Sequence, residues 1–195
     1  MKTLVVFTEE KSAQVMLQSL MPRLLPEEEC RFQCFAFEGK QDLKKQLPIK
    51  LRGWQAPNTQ FVVLCDQDSS DCKALKKELQ KLCRDARKPA TLVRIACREL
   101  ESWYFGDLAS VGAALVIDGL STYGQRAKYR IPDSISNPAR ELKRITRGRY
   151  QKVGGSRAIG RHLSLLNSQS TSFQHFIKGV CQLVGVSENQ QRGDS

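Results

Sequence analysis

Two stretches of the sequence decide the fold, TLVVFTEE at residues 3–10 and FVVLCDQD at residues 61–68. Each is a run of apolar and β-branched residues that ends abruptly in carboxylates, which is typical of a buried strand followed by a polar loop. In an open parallel sheet the carboxyl ends of the strands lie along one edge, and ligands bind at that edge. We therefore expect Glu9, Asp66 and Asp68 to lie close together.

These three carboxylates predict a metal site. Like charges at one point repel each other unless a cation lies between them, and hard oxygen ligands suit Mg²⁺ or Mn²⁺. Residues i and i+2 of a strand point to the same side, so Asp66 and Asp68 are expected to reach one ion. Two acids separated by one residue are also common in solvated loops, and this alternative stays open.

A second acidic pair, Glu99 and Glu101, follows the fourth predicted strand. Glu101 is a candidate metal ligand or general base at the same edge of the sheet. An acid in the first turn of a helix is also stabilised by the helix dipole without any catalytic role. Both interpretations stay open.

The order of predicted elements indicates an α/β fold. Strands are predicted at residues 3–8, 31–37, 60–65 and 90–96. Helices are predicted at residues 11–25, 42–51 and 71–87. In residues 98–107 we expect a strand end followed by a helix that continues through Ala109 to Ile117. This alternation predicts an open parallel sheet of about four strands with right-handed crossovers and flanking helices.

The strand signals stop after residue 118, and short helices are predicted beyond it. They fall at residues 138–147, 156–166 and 172–185, with Gly154-Gly155 breaking the chain before the second. We therefore divide the chain into an α/β core at residues 1–118, a basic, mostly helical extension at 119–187 packed on it, and a disordered tail at 188–195.

The positive charge of the chain is concentrated in that extension. The net charge is +11, and the segment from Tyr123 to Arg161 holds eleven basic and two acidic residues, which leaves the rest of the chain near neutral. A localised basic surface is the electrostatic footprint of a polyanion site. The candidate nucleic-acid contacts are Arg126, Lys128, Arg130, Arg144, Arg147, Arg149, Lys152 and Arg157. Tyr123, Tyr129 and Tyr150 are interleaved with them and are expected to stack on unpaired bases. The alternatives are a solvated face or a surface for an acidic protein partner.

Several classes are excluded by motifs that the sequence lacks. It has no P-loop, no G-x-G-x-x-G after the first strand and no G-x-S-x-G elbow. His162 and His175 have no triad partners in the pattern and are expected to be structural or to contact phosphate. The seven cysteines form no C-x-x-C pair, so we expect reduced thiols rather than a zinc site. With no long apolar run and no secretory leader, we expect a cytoplasmic protein.

The acidic motifs resemble those of a known fold. A glutamate after strand one and Asp-x-Asp after strand three look like the Toprim fold (a Rossmann-like sheet), which topoisomerases, primases and the overcoming-lysogenization-defect (OLD) nucleases share. The segments similar to a bacterial Toprim-like family of unknown function are residues 8–13, 39–43, 65–75, 99–107, 149–152 and 172–176. The similarity spans residues 3–185. Members of this family are often encoded beside ABC-type ATPases, an arrangement that resembles a split OLD nuclease and implies defence against phage or plasmids.

The resemblance implies roles for individual residues. Glu9 takes the Toprim glutamate role, and Asp66 and Asp68 bind metal. Toprim enzymes usually have glycine after the first glutamate, whereas this chain has Glu10. Glu101 would complete the metal site or act as a base.

We therefore expect a nuclease that uses Mg²⁺ or Mn²⁺ to cut DNA or RNA, with an ABC- or AAA-type ATPase as partner. In this interpretation Lys152 and the arginines near it neutralise the phosphate or the transition state. One alternative is a non-catalytic subunit whose basic face binds the ATPase or tRNA and whose acids bind a structural ion. Another is a nucleotide-handling phosphotransferase on the same fold.

Overall fold

The computed structural model describes residues 1–26 and 28–186, and the predicted tail at 188–195 lies outside this part. The four strands are β1 (Lys2–Thr8), β2 (Cys30–Ala36), β3 (Thr59–Asp66) and β4 (Leu92–Ala96). The eight helices that the described residues form are α1 (Lys11–Leu20), α2 (Lys40–Gly53), α3 (Cys72–Asp85), α4 (Glu101–Phe105), α5 (Leu108–Leu115), α6 (Pro138–Ile145), α7 (Lys152–Gly160) and α8 (Thr171–Val184). Short 3₁₀ turns lie at Met21–Arg23, Leu120–Gln125, Ala127–Tyr129 and Pro132–Ser134.

The strands form one parallel sheet in the order β2-β1-β3-β4, which confirms the predicted α/β fold. The two strands that end in carboxylates, β1 and β3, are neighbours at the centre of the sheet. Thr8 pairs with Leu64, and Asp66 pairs with Ala96 of β4. The residues that follow β1 therefore lie beside the end of β3, as the sequence pattern predicted.

Helices cover both faces of the sheet because the central strands alternate apolar side chains to both sides. Val5 and Phe7 face one way and pack in a core with α2 and α3. Leu4 and Val6 face the other way and pack in a larger core with α1 and α4 through α8. The larger core joins residues from both sides of position 118, and the predicted domain division there stays a prediction.

Several predicted helix boundaries were wrong. The helix expected at residues 11–25 ends at Leu20. The helix expected to continue to Ile117 ends at Phe105, and a second one begins after Asp107, whose Oδ1 accepts the N–H of Ser110 at 3.1 Å as a cap. The chain does not break at Gly154-Gly155, because α7 runs through both glycines and ends at Gly160.

The glycines of α7 allow close packing instead of breaking the helix. A Cβ on Gly155 would lie 2.6 Å from the ring of Tyr150, and one on Gly160 would lie 2.4 Å from the carbonyl oxygen of Met16 in α1. Both distances are too short for a side chain. Without Cβ atoms here, α7 packs directly on α1 and brings its first residue, Lys152, to the edge of the sheet where β1 ends.

No helix in residues 1–26 and 28–186 has both the length and the apolar character needed to cross a bilayer.

Candidate functional site

Three loops meet at the carboxyl edge of the sheet. They follow β1, β3 and β4 and carry Glu9 and Glu10, residues 67–71, and residues 97–100. The loops after β3 and β4 are joined by the N–H of Asp68, which donates to the carbonyl oxygen of Arg98 at 2.7 Å. Side chains from separate parts of the sequence therefore lie around one point.

Glu9 connects β1 to β3. Its Oε2 accepts the backbone N–H of Asp66 at 3.1 Å and the thiol of Cys65 at 3.0 Å. Burial raises the pKa of the Cys65 thiol, and the charge of Glu9 raises it further, so this cysteine is a neutral donor. One carboxylate oxygen of Glu9 thus holds the end of β3 in place.

Asp66 is the buried acid of the site, with 8% of its surface exposed. Burial raises the pKa of its carboxyl well above the ordinary range, and the charges of Glu10, Glu101 and Glu9, in that order, raise it further. The backbone N–H of Leu100 opposes this shift by donating to the carboxylate. In the folded protein, burial and the neighbouring negative charges therefore outweigh the groups that stabilise the ionised form of Asp66.

Glu101 lies at the start of α4 and is 1% exposed. Its Oε1 accepts the hydroxyl of Tyr150 at 2.8 Å, and that hydroxyl lies 3.1 Å from the Oγ of Ser156. Burial raises the pKa of Glu101, while the Tyr150 hydrogen bond and the charge of Lys152 act against the rise. Tyr150 therefore fixes this carboxylate from the protein side.

Glu10 faces the same point and is paired with Lys152, whose Nζ lies 2.6 Å from its Oε2. Ser12 donates to the other oxygen of Glu10. Burial lowers the pKa of Lys152, but the hydrogen bond to Glu10 and the charges of Glu10, Glu101 and Asp66 outweigh it, and the pKa is raised. We call Glu10, Asp66 and Glu101 the acidic cluster; Lys152 supplies its positive charge.

Asp68 lies apart from this cluster. It has left the strand and takes a left-handed backbone conformation with φ of 53°, which Asp tolerates better than most residues. Its carboxylate is 47% exposed and accepts Nζ of Lys40 at 2.6 Å. The alternation of side chains along a strand does not apply here, and the metal-binding role of Asp68 stays a prediction.

The donor set has the chemistry that Mg²⁺ prefers, since the acidic cluster offers carboxylate oxygens whose mutual repulsion a divalent cation would relieve. Within the described residues, however, no three Asp, Glu, Cys or His side chains stand close enough together to form a complete set of ligands. These carboxylates would therefore have to move closer together to hold a cation.

The predicted nucleic-acid contacts are exposed. They are Arg126, Lys128, Arg130, Arg144, Arg147, Arg149, Lys152 and Arg157. Five of them have partners within the protein. Lys128 and Arg144 pair with Glu141 at 2.8 and 3.0 Å, and Arg149 donates to the carbonyl oxygen of Val116 at 2.7 Å. Lys152 pairs with Glu10, and Arg126 lies over the ring of Tyr123. Arg130, Arg147 and Arg157 are free to meet a polyanion.

The prediction of base stacking was wrong for two of the three tyrosines. Tyr129 and Tyr150 are 1% and 4% exposed, and Tyr129 stacks on Phe105 with ring centres 4.9 Å apart. Large aromatic side chains such as these stabilise the protein by packing in its core. Tyr123 remains partly exposed, with the guanidinium of Arg126 at 3.9 Å from its ring centre.

The sequence pattern missed Glu10 as a member of the site and Tyr150 as the hydrogen-bond donor to Glu101. Glu10 could have been recognised from its position, because it stands where Toprim enzymes usually have glycine. Tyr150 offered no local signal, because 49 residues separate it from Glu101 along the chain.

The fold and this edge define an α/β protein with a four-stranded parallel sheet and a buried acidic cluster at its carboxyl end. The chain belongs to the family described as domain of unknown function DUF4276, whose model matches residues 8–180. A search of the curated proteins finds no match.

Solved structures of OLD proteins are similar to the chain. The C-terminal region of the Burkholderia pseudomallei OLD protein has a TM-score of 0.55 and 15% identity, over 94% of this chain and 98% of that one. Two structures of the C-terminal region of the Xanthomonas campestris pv. campestris OLD protein have TM-scores of 0.43 and 0.45 at 12% identity, over 98% and 94% of this chain and 98% and 96% of theirs. At this identity the likeness to the Burkholderia structure shows a shared fold.

Proposed function

We propose that the protein is a Toprim-like, metal-dependent nuclease that cleaves phosphodiester bonds of nucleic acid. The observation that carries the proposal is the acidic cluster, three carboxylates whose charges act on one another beside Lys152 at the ligand-binding edge of the sheet. A buried group with a strongly shifted pKa in such a place is a candidate for chemistry. The nearby basic surface suits a polyanionic substrate.

The acidic cluster and Glu9 would hold the ion, and Asp68 would join them only after leaving Lys40. Bound Mg²⁺ or Mn²⁺ polarises a phosphoryl oxygen and makes water a better nucleophile. Tyr150 keeps the Glu101 carboxylate oriented. Lys152, whose Nζ lies 2.6 Å from Oε2 of Glu10, would pair with a phosphate oxygen of the substrate.

A cleavage assay tests the proposal, with plasmid, single-stranded DNA and total tRNA as substrates in Mg²⁺, Mn²⁺ or EDTA. We expect metal-dependent cutting that Asp66→Asn and Glu101→Gln abolish. The matched control is Glu99→Gln, because Glu99 stands two residues from Glu101 but its carboxylate accepts the N–H of Ala139 at 2.8 Å, at the start of α6. If Asp66→Asn cuts like the wild type, the assignment of the site is wrong.

Binding to nucleic acid is tested separately by its dependence on salt. Each phosphate contact releases counterions, so Arg157→Ala should reduce the slope of log K against log salt by about one. Arg31→Ala is the control, since Arg31 is equally exposed but lies near the opposite edge of the sheet, at the start of β2. Equal slopes for the two variants would contradict a nucleic-acid surface around α7.

A non-catalytic subunit is the second candidate, and one observation favours it. Lys152 and Lys40 already neutralise Glu10 and Asp68 at 2.6 Å each, so the edge carries paired charges without an ion. This candidate predicts no cutting of any substrate in Mg²⁺ or Mn²⁺. The ATPase partner and the role in phage or plasmid defence rest on the family resemblance alone.

A further inference from the structure

A pocket lies away from the acidic cluster, between the start of α3, the end of β4 and the start of α8. Its volume is about 540 Å³, and none of the cluster residues is among the described residues that line it. Its walls include two cysteines together with several charged or polar side chains, and those that matter here are Cys72, Lys76, Arg94, Cys97, Asp133 and His175.

The two cysteines line the same pocket, and both residues are partly exposed. Besides burial, the nearby thiol of Cys72 contributes to the raised pKa of the Cys97 thiol. The other five cysteines of the chain are buried. Cys72 and Cys97 are therefore the thiols that a reagent in solution reaches.

Their positions also suit a covalent bond. Cys72 is the first residue of α3 and Cys97 directly follows β4. The segments just before α3 and just after β4 are already held together by the hydrogen bond from Asp68 to Arg98. A disulfide needs Cα atoms about 4.4–6.8 Å apart, and this hydrogen bond keeps the two segments that carry the cysteines side by side.

The pocket favours anionic reagents. Lys76 and Arg94 line it, and His175 adds a group that can be protonated. The opposing acid, Asp133, accepts the N–H of Ser172 at 2.7 Å and the hydroxyl of Ser170 at 2.6 Å at the start of α8. Two cations thus face one carboxylate, so the net charge of the pocket lining is positive, which attracts carboxylates.

We propose that Cys72 and Cys97 form a dithiol site that reduces an anionic small-molecule disulfide of the glutathione type and closes into an intramolecular disulfide. The sulfur of Cys72 attacks one sulfur of the reagent, breaks its S–S bond and releases one thiolate. The sulfur of Cys97 then attacks the Cys72 sulfur of the mixed disulfide and releases the second thiolate. Two protein thiols are oxidised, one reagent disulfide is reduced to two thiols, and the two protons end on the released thiolates.

The order of attack follows from the surroundings of Cys97. Burial raises the pKa of its thiol, and the nearby charge of Asp133 raises it further. The thiolate is the attacking species, so Cys97 suits the second step, in which the reacting sulfur is already held beside it. This site is independent of any cleavage at the acidic cluster.

Thiol titration after treatment with glutathione disulfide tests the proposal. The wild-type chain has seven free cysteines; after treatment and denaturation we expect two thiols to be lost, and peptide mass spectrometry to find a Cys72–Cys97 link. Cys97→Ser should instead stop at one bound glutathione. Cys30→Ser, a variant of a buried cysteine at the start of β2, should still lose two thiols.

The charge preference has its own control. At low ionic strength Lys76→Glu should slow the reaction with glutathione disulfide by about threefold to tenfold, but leave the reaction with the neutral disulfide of 2-mercaptoethanol unchanged. Lys77→Glu adds the same charge one residue along α3, where the side chain does not line the pocket. Seven thiols remaining in treated wild type, or an intramolecular link to a different cysteine, would overturn the dithiol site. Equal slowing with both disulfides would overturn the anionic preference.

Discussion

Replacing Tyr150 by phenylalanine removes the hydroxyl that donates to Glu101 and lies 3.1 Å from the Oγ of Ser156. The ring stays in the core, and only the hydroxyl is lost from a bond of 2.8 Å to a carboxylate that is 1% exposed. A hydrogen bond to a charged group contributes about 1.5–3 kcal/mol, so we expect unfolding to become easier by about 2 kcal/mol. For a chain of this size that corresponds to a melting temperature lower by about 4–8 °C.

The loss should also depend on pH. The pKa of Glu101 is raised in the folded protein, so the native state binds a proton more readily than the unfolded chain. Stability from this group is therefore present below the ordinary glutamate pKa and is lost as pH rises towards the folded value. Because the Tyr150 hydroxyl lowers that pKa, its removal raises it further, and the destabilisation of Tyr150→Phe should grow as pH rises above the ordinary range of glutamate.

Tyr129→Phe is the matched control. Tyr129 is a buried ring whose hydroxyl donates to Glu141 at 2.7 Å, but this glutamate has Lys128 and Arg144 as further partners. These contacts lower the pKa of Glu141 to about 2, so its contribution is lost only as pH falls from the ordinary range towards that value. We expect a cost of about 1 kcal/mol that is flat from about pH 5 upwards. Equal, pH-independent losses in the two variants, measured by urea unfolding, would refute the reasoning about Glu101.

Three further perturbations test packing and charge. Gly160→Ala in α7 should lower the free energy of unfolding by about 1–3 kcal/mol, because the new Cβ would meet the Met16 carbonyl oxygen. Gly154→Ala in the same helix meets nothing within 4 Å and should raise that free energy by about 0.5–1 kcal/mol. Thermal melts in which both variants lose stability would contradict the packing of α7 on α1. Asp66→Asn should raise the melting temperature at neutral pH. Because the folded pKa of Asp66 is raised, its ionised carboxylate destabilises the fold when the pH is above the ordinary pKa of aspartate. The gain should vanish at about pH 4 or below, and a gain that persists there would point to a cause other than charge. Lys40→Ala should cost less than about 1 kcal/mol in urea unfolding because Asp68 is half exposed, and a larger loss would mean that Lys40 has a structural role beyond this pair.

The sequence alone predicted the parallel sheet and the edge at which acidic residues follow its strands. Apolar runs that end in Glu9 and Asp66 mark central strands, because a strand buried on both faces has no polar position until it leaves the sheet. The same pattern predicted that these acids would be neighbours, and the pairing of β1 with β3 confirms it. This inference needs only the period of a strand and the rule that parallel strands end at one edge.

The tertiary structure decided which side chains face one another at that edge. The close packing of α7 on α1 brings together Glu10, Lys152 and Tyr150 at the site. That packing depends on glycines in α7, a residue type whose low helix propensity had predicted a break in the chain. Asp68 leaves the cluster because its backbone turns left-handed after β3 and Lys40 takes its carboxylate. Contacts between residues far apart in sequence, such as Tyr150 with Glu101, depend on how helices pack, and local periodicity carries no information about that packing.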